Sequence, residues 1–166
     1  MNPSAFDVVI IGAGGAGLTA AIYTARANLS TLILEKMVPG GQIVSTELVE
    51  NYPGFQDGIM GAEIAQRMEA QAARYGARLD SGEVNRIFRQ DGHFQIEAGG
   101  ERYQARAVIL AMGASFRTLG VPNEKEFTGK GVSYCATCDG AFFRGKELVV
   151  VGGGDVGCET ACHLAD

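Results

Sequence analysis

Runs of basic residues are missing from this chain: 14 lysines and arginines are scattered among 19 acids, for a net charge of −5. Nucleic acid and anionic membranes select for clustered Lys and Arg, so neither is expected as a main partner. Histidine is nearly absent. His93 and His163 each stand alone, without a second histidine or an acid cluster beside them, which argues against a histidine-built metal site or triad. No cysteine precedes position 135, and Cys135, Cys138, Cys158 and Cys162 all fall in the last third. A disulfide framework that staples a small secreted domain is not laid out this way, so a reducing, cytoplasmic setting is expected. Met1 to Asp7 carries no basic residue that could serve a signal peptide. The charge-free stretch Val8 to Ala25 is interrupted by four glycines and by Thr19, Tyr23 and Thr24, which is wrong for a membrane span. Only four prolines occur, and the 24 glycines cluster at turns instead of forming a linker or collagen-like repeat.

What is present is a globular composition, 46% hydrophobic and 20% charged over 166 residues, enough to bury one sizeable core. Val8-Val9-Ile10-Ile11 is a short β-branched run, as in a strand buried on both faces of a parallel sheet. It leads into Gly12-Ala13-Gly14-Gly15-Ala16-Gly17, helix formers from Leu18 to Ala27, and a second strand Thr31 to Glu35. Gly-x-Gly-x-x-Gly is weak alone. Set between a strand and a helix, with an acid closing the next strand, it specifies a βαβ unit that binds a dinucleotide. In that unit Gly12 makes the tight turn, Gly14 admits the pyrophosphate, Gly17 lets helix and strand touch, and Glu35 accepts the ribose hydroxyls.

Met37 to Phe55 reads as a long irregular loop around Gly40-Gly41-Gln42 and Asn51-Tyr52-Pro53-Gly54. Ile64, Ala65, Met68, Ala72 and Tyr75 have helical spacing and read as core positions of a helix from Ala62 to Tyr75, capped by Gly76. Glu83 to Arg89, His93 to Glu97 and Arg102 to Arg106 alternate like strands of an antiparallel meander, broken at Asp91-Gly92 and Gly99-Gly100. Ala107 to Ala111 is a further buried strand, and Ser115 to Gly131 is polar and turn-rich. A strand over Lys146 to Val151 then enters Gly152-x-Gly154-x-x-Gly157, with a helix starting at Asp155 or Val156. The reading is an α/β chain: a Rossmann-like domain over 1–114, with a parallel sheet and an antiparallel meander, and the start of a second Rossmann-like domain over 115–166. The second βαβ unit is cut within its helix, so the chain reads as part of a longer protein.

Between the two glycine turns stands Cys135-Ala136-Thr137-Cys138-Asp139-Gly140, a pair that can close and reopen a small disulfide. Zinc is the nearest rival, because Cys158-x3-Cys162 follows nineteen residues later. A buried strand and a nucleotide turn would have to bend sharply to bring both pairs together, so no metal is expected, and Cys158 and Cys162 read as small apolar helix residues. A non-catalytic flavin-binding or interaction module is the rival of a different class.

Two dinucleotide fingerprints bracketing Cys-Ala-Thr-Cys-Asp-Gly closely resemble the low-molecular-weight thioredoxin reductases. The likeness also covers Gly40-Gly41-Gln42, Glu50-Asn51-Tyr52-Pro53-Gly54, Ala111-Met112-Gly113-Ala114 and Glu159. It implies FAD at the first fingerprint and NADPH at the second, with thioredoxin or a thioredoxin-like protein as the disulfide partner and a homodimer for the full-length protein. It implies cofactor contacts by Gly12, Gly14, Gly15, Ala16, Gly17, Glu35, Lys36, Gly40, Gly41, Gln42, Asn51, Val84, Ala111, Met112 and Gly113 for FAD. For NADPH it implies Gly152, Gly154, Asp155 and Gly157. It makes Cys138 the thiol that takes electrons from the flavin, Cys135 the thiol that attacks the partner, and Asp139 the acid and base. Met112 stands where the family usually has Thr, and Val156-Gly157-Cys158 replaces the more usual small residues after the second fingerprint. Some relatives with altered second sites draw electrons from ferredoxin, which is the alternative donor.

Overall fold

In the computed structural model, which describes residues 4–165, the chain divides into two units, 1–114 and 115–166. The first is built on a six-stranded sheet of order β3-β2-β1-β6-β5-β4. β1 (Ala5–Ile11) leads through the glycine turn into helix α1 (Gly15–Arg26), which returns to β2 (Thr31–Glu35). β1 and β2 are parallel, with Val8 opposite Thr31 and Ile11 opposite Leu34. The helix ends at Arg26 because Asn28 turns left-handed, with φ +59°. Asp7 fastens both flanks of β1. Its carboxylate accepts the Ser30 amide and hydroxyl at 3.0 and 2.9 Å and meets Arg106 on β6 at 2.9 Å. The Ser30 amide first, then Arg106, hold it below the usual aspartate value.

Helix α2 (Gly61–Arg74) buries Ile64, Ala65 and Ala72. Met68 is partly buried against the same core. Tyr75 is not core, as its spacing suggested: it is 36% exposed, where Arg26 lies over its ring at 5.0 Å and donates to its hydroxyl. Gly76 takes φ +93° as the expected cap.

The meander is β4 (Val84–Gln90), β5 (His93–Ala98) and β6 (Glu101–Leu110). Asp91 and Gly92 make the β4–β5 turn with φ +50° and +80°, the double left-handed geometry of a type I′ hairpin. Two expectations fail here. The predicted strands Arg102 to Arg106 and Ala107 to Ala111 are one strand, because β6 pairs antiparallel with β5 from Glu101 to Ala105 and parallel with β1 from Gln104 to Leu110, so the two pairings overlap. Ala107 to Leu110 reads as a separate run because it is apolar throughout, whereas apolar and polar residues alternate before it. β3 (Arg78–Ser81), parallel to β2, was not anticipated, since a four-residue edge strand with one apolar side chain carries no pattern.

Alternation along β1 and β2 sorts the core into two faces. Val8, Ile10 and Ile33 pack under α1 with Leu18, Ala21 and Ile22. Val9, Ile11, Leu32 and Leu34 pack with Ile96, Tyr103 and Ala105, so the antiparallel wing folds back over the second face. Each fully buried Leu or Ile contributes about 1.5–3 kcal/mol.

The second unit contains α3 (Glu124–Phe127), α4 (Ala136–Asp139) and α5 (Asp155–Ala165). The expected strand over 146–151 is not formed. No described strand lies beside it, a strand without a neighbour has no ladder to join, and Val149 and Val151 are left 85% and 61% exposed. For the same want of a sheet, Cys158 and Cys162 are exposed free thiols on α5, not the packed residues their spacing suggested.

Candidate active site

The first glycine turn is shaped by contacts that admit no side chain. Gly12 takes φ +101°, and a Cβ there would stand 2.3 Å from the Ala111 carbonyl oxygen at the exit of β6. A Cβ on Gly17 would stand 1.9 Å from the Gly12 carbonyl oxygen. Gly14 and Gly15 are different: around Gly14 only a Gly41 Cα lies near, at 3.9 Å, and around Gly15 nothing lies within 4 Å. The turn is thus closed toward the protein and open where the helix begins. No side chain caps α1 at Gly14, and its first turn holds no acid. Its leading amides and positive dipole end suit a phosphate.

Glu35, at the end of β2, reaches across this turn. Its Oε2 accepts the Ala13 amide at 2.7 Å and its Oε1 accepts the Met37 amide at 3.0 Å. Lys36 is exposed, 4.0 Å from Glu83. The loop after β2 folds onto the turn: the Gly40 amide donates to the Ala13 carbonyl at 2.7 Å, and a short 3₁₀ helix runs Gly41–Ser45 where irregular chain was expected. Gln42 donates to the Ala114 carbonyl, tying that loop to the exit of β6. Gly12 to Gly17, Glu35, Gly40, Gly41, Gln42 and Ala111 to Gly113 therefore gather at one edge of the sheet. Met112 is 67% exposed there. Asn51 lies on an exposed loop beside Phe55, and Val84 faces the second core cluster from β4.

In the second unit, Gly152 takes φ +121°, and a Cβ on Gly157 would stand 2.3 Å from the Gly152 carbonyl oxygen. The contact repeats the Gly12–Gly17 relation, so this turn forms without its sheet. Asp155 heads α5.

Cys135 and Cys138 are joined as a disulfide, with Cα atoms 5.3 Å apart. Cys135 is extended and caps α4, so its carbonyl accepts the Cys138 and Asp139 amides at 3.2 and 3.0 Å. Ser133 was missed in the sequence. Its hydroxyl lies 2.5 Å from Asp139 Oδ2 and accepts the Cys135 amide at 3.1 Å. A Ser two residues before an extended residue is the signal of such a turn.

Glu124, also missed, is the one buried side chain among those described in 115–165. It accepts the Leu119 and Gly120 amides, each at 2.8 Å, and the hydroxyl of Tyr134, whose ring stacks on Phe116 at 5.1 Å. The Tyr134 hydroxyl first, then those amides, hold Glu124 below the ordinary glutamate value of 4.5, while Glu124 pushes Tyr134 up. A carboxyl lowered by folding stabilises the fold fully above its unfolded value, and that contribution is lost as pH falls through the lower folded value. Stability of the second unit is accordingly expected to fall on acidification below about pH 4.5, and Glu124→Gln to remove that dependence. Denaturant unfolding between pH 3 and 7 checks it; a Gln variant with the parent's acid slope excludes Glu124 as its source.

Residues 6–166 match the family model for pyridine nucleotide-disulphide oxidoreductases. The thioredoxin reductase of Bacillus subtilis (strain 168) is 54% identical over 96% of this chain and 50% of its own length. The bifunctional thioredoxin reductase/thioredoxin of Mycobacterium leprae (strain TN) is 50% identical over 95% of this chain and 35% of its own. The thioredoxin reductase structure from Streptococcus pyogenes MGAS5005 superposes with a TM-score of 0.91 at 46% identity, over 98% of this chain and 53% of that one. The chain thus spans half or less of these curated relatives and about half of that structure. With its Rossmann-type sheet, two glycine turns and a closed Cys-x-x-Cys disulfide between them, the chain belongs to the pyridine nucleotide-disulphide oxidoreductase family.

Proposed function

We propose that this chain is part of a flavoprotein disulfide reductase in which electrons pass from NADPH through FAD to the Cys135–Cys138 pair and on to thioredoxin or a thioredoxin-like protein. The observation that carries this reading is the closed disulfide at the head of a one-turn helix, with the carboxyl of Asp139 on the next residue. Residues 1–114 would be the N-terminal part of the FAD domain, and 115–166 the crossing segment, dithiol and first βα of the NAD(P) domain.

The residues at the first turn fit FAD. Gly14 and Gly15 leave its approach open, the uncapped start of α1 faces a phosphate, and Glu35 is already held at the turn, ready to accept ribose hydroxyls. When bound, FAD supplies two electrons for opening the disulfide. The chain does the rest. Cys138 is the sulfur that receives the pair, Cys135 becomes the outward thiol, and Asp139 gives a proton to the sulfur that leaves. Transfer onward is attack of the Cys135 thiolate on a partner disulfide, followed by attack of Cys138 on the mixed disulfide. No helix among the described residues is long and apolar enough to cross a membrane.

The full-length protein is expected to purify yellow and to release FAD on denaturation. Glu35→Ala should weaken FAD binding in titrations of apoprotein without unfolding it, because the Ala13 amide it loses can turn to water. Colourless protein that cannot be reconstituted with FAD ends this reading, and unchanged affinity in Glu35→Ala removes Glu35 as the ribose acceptor.

A further inference from the structure

Resting on the acid and base role proposed for Asp139, we infer that Ser133 is the residue that positions its carboxyl during opening and closing of the disulfide. The Ser133 oxygen sits 2.5 Å from Asp139 Oδ2, 3.1 Å from the Cys135 amide nitrogen and 3.3 Å from the Cys135 carbonyl oxygen. A hydroxyl has one proton to give. The carboxyl is both the closer and the stronger acceptor, so the proton points to Oδ2 while the oxygen takes the Cys135 amide. Ser133 thereby links Asp139 directly to the backbone of one of the two reacting cysteines.

This arrangement serves a proton carrier in both of its states. With Asp139 protonated, the proton resides on Oδ1 and Oδ2 accepts from Ser133; with Asp139 ionised, the same bond persists. Delivery and recovery of a proton then need no rotation of the side chain. In the forward step the S–S bond breaks and two electrons from the upstream donor go to the sulfurs. The sulfur that leaves, that of Cys135, takes the proton from Oδ1, the other remains a thiolate, and Asp139 regains its proton from water. Ser133 touches neither sulfur with its proton, so it is a positioning residue. Being exposed, it adds little to stability.

The test uses the full-length, FAD-loaded protein and reads by stopped flow the rate at which reduced flavin is reoxidised by the internal disulfide. Ser133→Ala should slow it by about 10-fold, a fraction of what misplacing a reacting group by an ångström can cost. FAD content and KM for the protein disulfide should stay unchanged. Ser133→Thr, which keeps the hydroxyl, should return the rate to near the parent's. Ser133→Ala combined with Asp139→Asn should be no slower than Asp139→Asn alone, since Ser133 acts through that carboxyl. In the crystal structure of Ser133→Ala the Asp139 carboxyl should leave its place beside the Cys135 amide. An unaltered rate in Ser133→Ala, additive losses in the double variant, or an unmoved carboxyl each overturns the role of Ser133 while leaving Asp139 as the acid. A parent-like rate in Asp139→Asn overturns the acid reading itself, and the inference with it.

Discussion

Serine at either position of the dithiol should abolish reduction of a protein disulfide by the full-length enzyme, but the two variants should fail differently. Cys138→Ser leaves Cys135 able to attack a partner disulfide and removes the thiol that would release it, so a stable mixed disulfide with a thioredoxin-like protein accumulates. Cys135→Ser leaves Cys138 as the thiol allotted to the flavin and no outward nucleophile, so no such adduct forms. Reduction of the flavin by the upstream donor should continue in both, because neither sulfur belongs to the glycine turns proposed to hold the nucleotides. Non-reducing gels and mass spectrometry after incubation with an oxidised thioredoxin distinguish them. A trapped adduct in Cys135→Ser and none in Cys138→Ser would reverse the allocation, and normal turnover in either would remove the dithiol from the pathway.

The second large effect is steric. Gly17→Ala places a methyl carbon where only 1.9 Å separates it from the Gly12 carbonyl oxygen, so α1 must back away from β1 by more than an ångström. The shift would disturb the packing of Leu18, Ala21 and Ile22 on the sheet. Overpacking of this sort costs about 1–3 kcal/mol and occasionally more, and here the turn proposed to receive the pyrophosphate is displaced as well. Gly17→Ala should therefore both lower the denaturant midpoint and lose FAD. Gly15→Ala is the internal comparison. It stands in the same motif, at the first position of the same helix, with nothing within 4 Å, so alanine there should leave stability unchanged. If Gly15→Ala unfolds the protein as readily as Gly17→Ala, close packing is not the reason for glycine at position 17.

Much of the first unit could be read from residues alone because its signals are local. Val8 to Ile11 and Thr31 to Glu35 are strands at those positions, β2 with the expected limits, since β-branched runs next to a glycine turn leave few alternatives. Asp91-Gly92 announced its hairpin in the same way. What escaped depends on partners distant in sequence. β3 exists because β2 offers it an edge, and β6 is one strand because β1 pairs with it from Gln104 to Leu110, across the join between the two predicted segments. The segment 146–151 shows the converse: its residues have every local preference for a strand, and local preference alone does not make one. At the dithiol, the two cysteines were visible by spacing and Asp139 through the family resemblance. Ser133 and Glu124 were not, because a serine in a loop and a glutamate in a polar stretch look like ordinary surface until their hydrogen bonds are seen.

The sheet order also sets when this unit can come into being. β1 joins β6 with Ala5 opposite Gln104, so the central pairing closes a loop of about a hundred residues, and such long-range closures are slow. The hairpins of β4, β5 and β6 are close in sequence and can form early, whereas β1 keeps one edge unpaired until the meander swings in to meet it. The Ala111 amide, which donates to Ile11 at 2.8 Å, and the Ala111 carbonyl pressed against Gly12 arrive with that last movement. During synthesis at roughly 5–20 residues per second, the glycine turn emerges many seconds before the strand that braces it. If the glycine turn holds a nucleotide as proposed, capture by the nascent chain follows closure of the sheet and not the appearance of the motif.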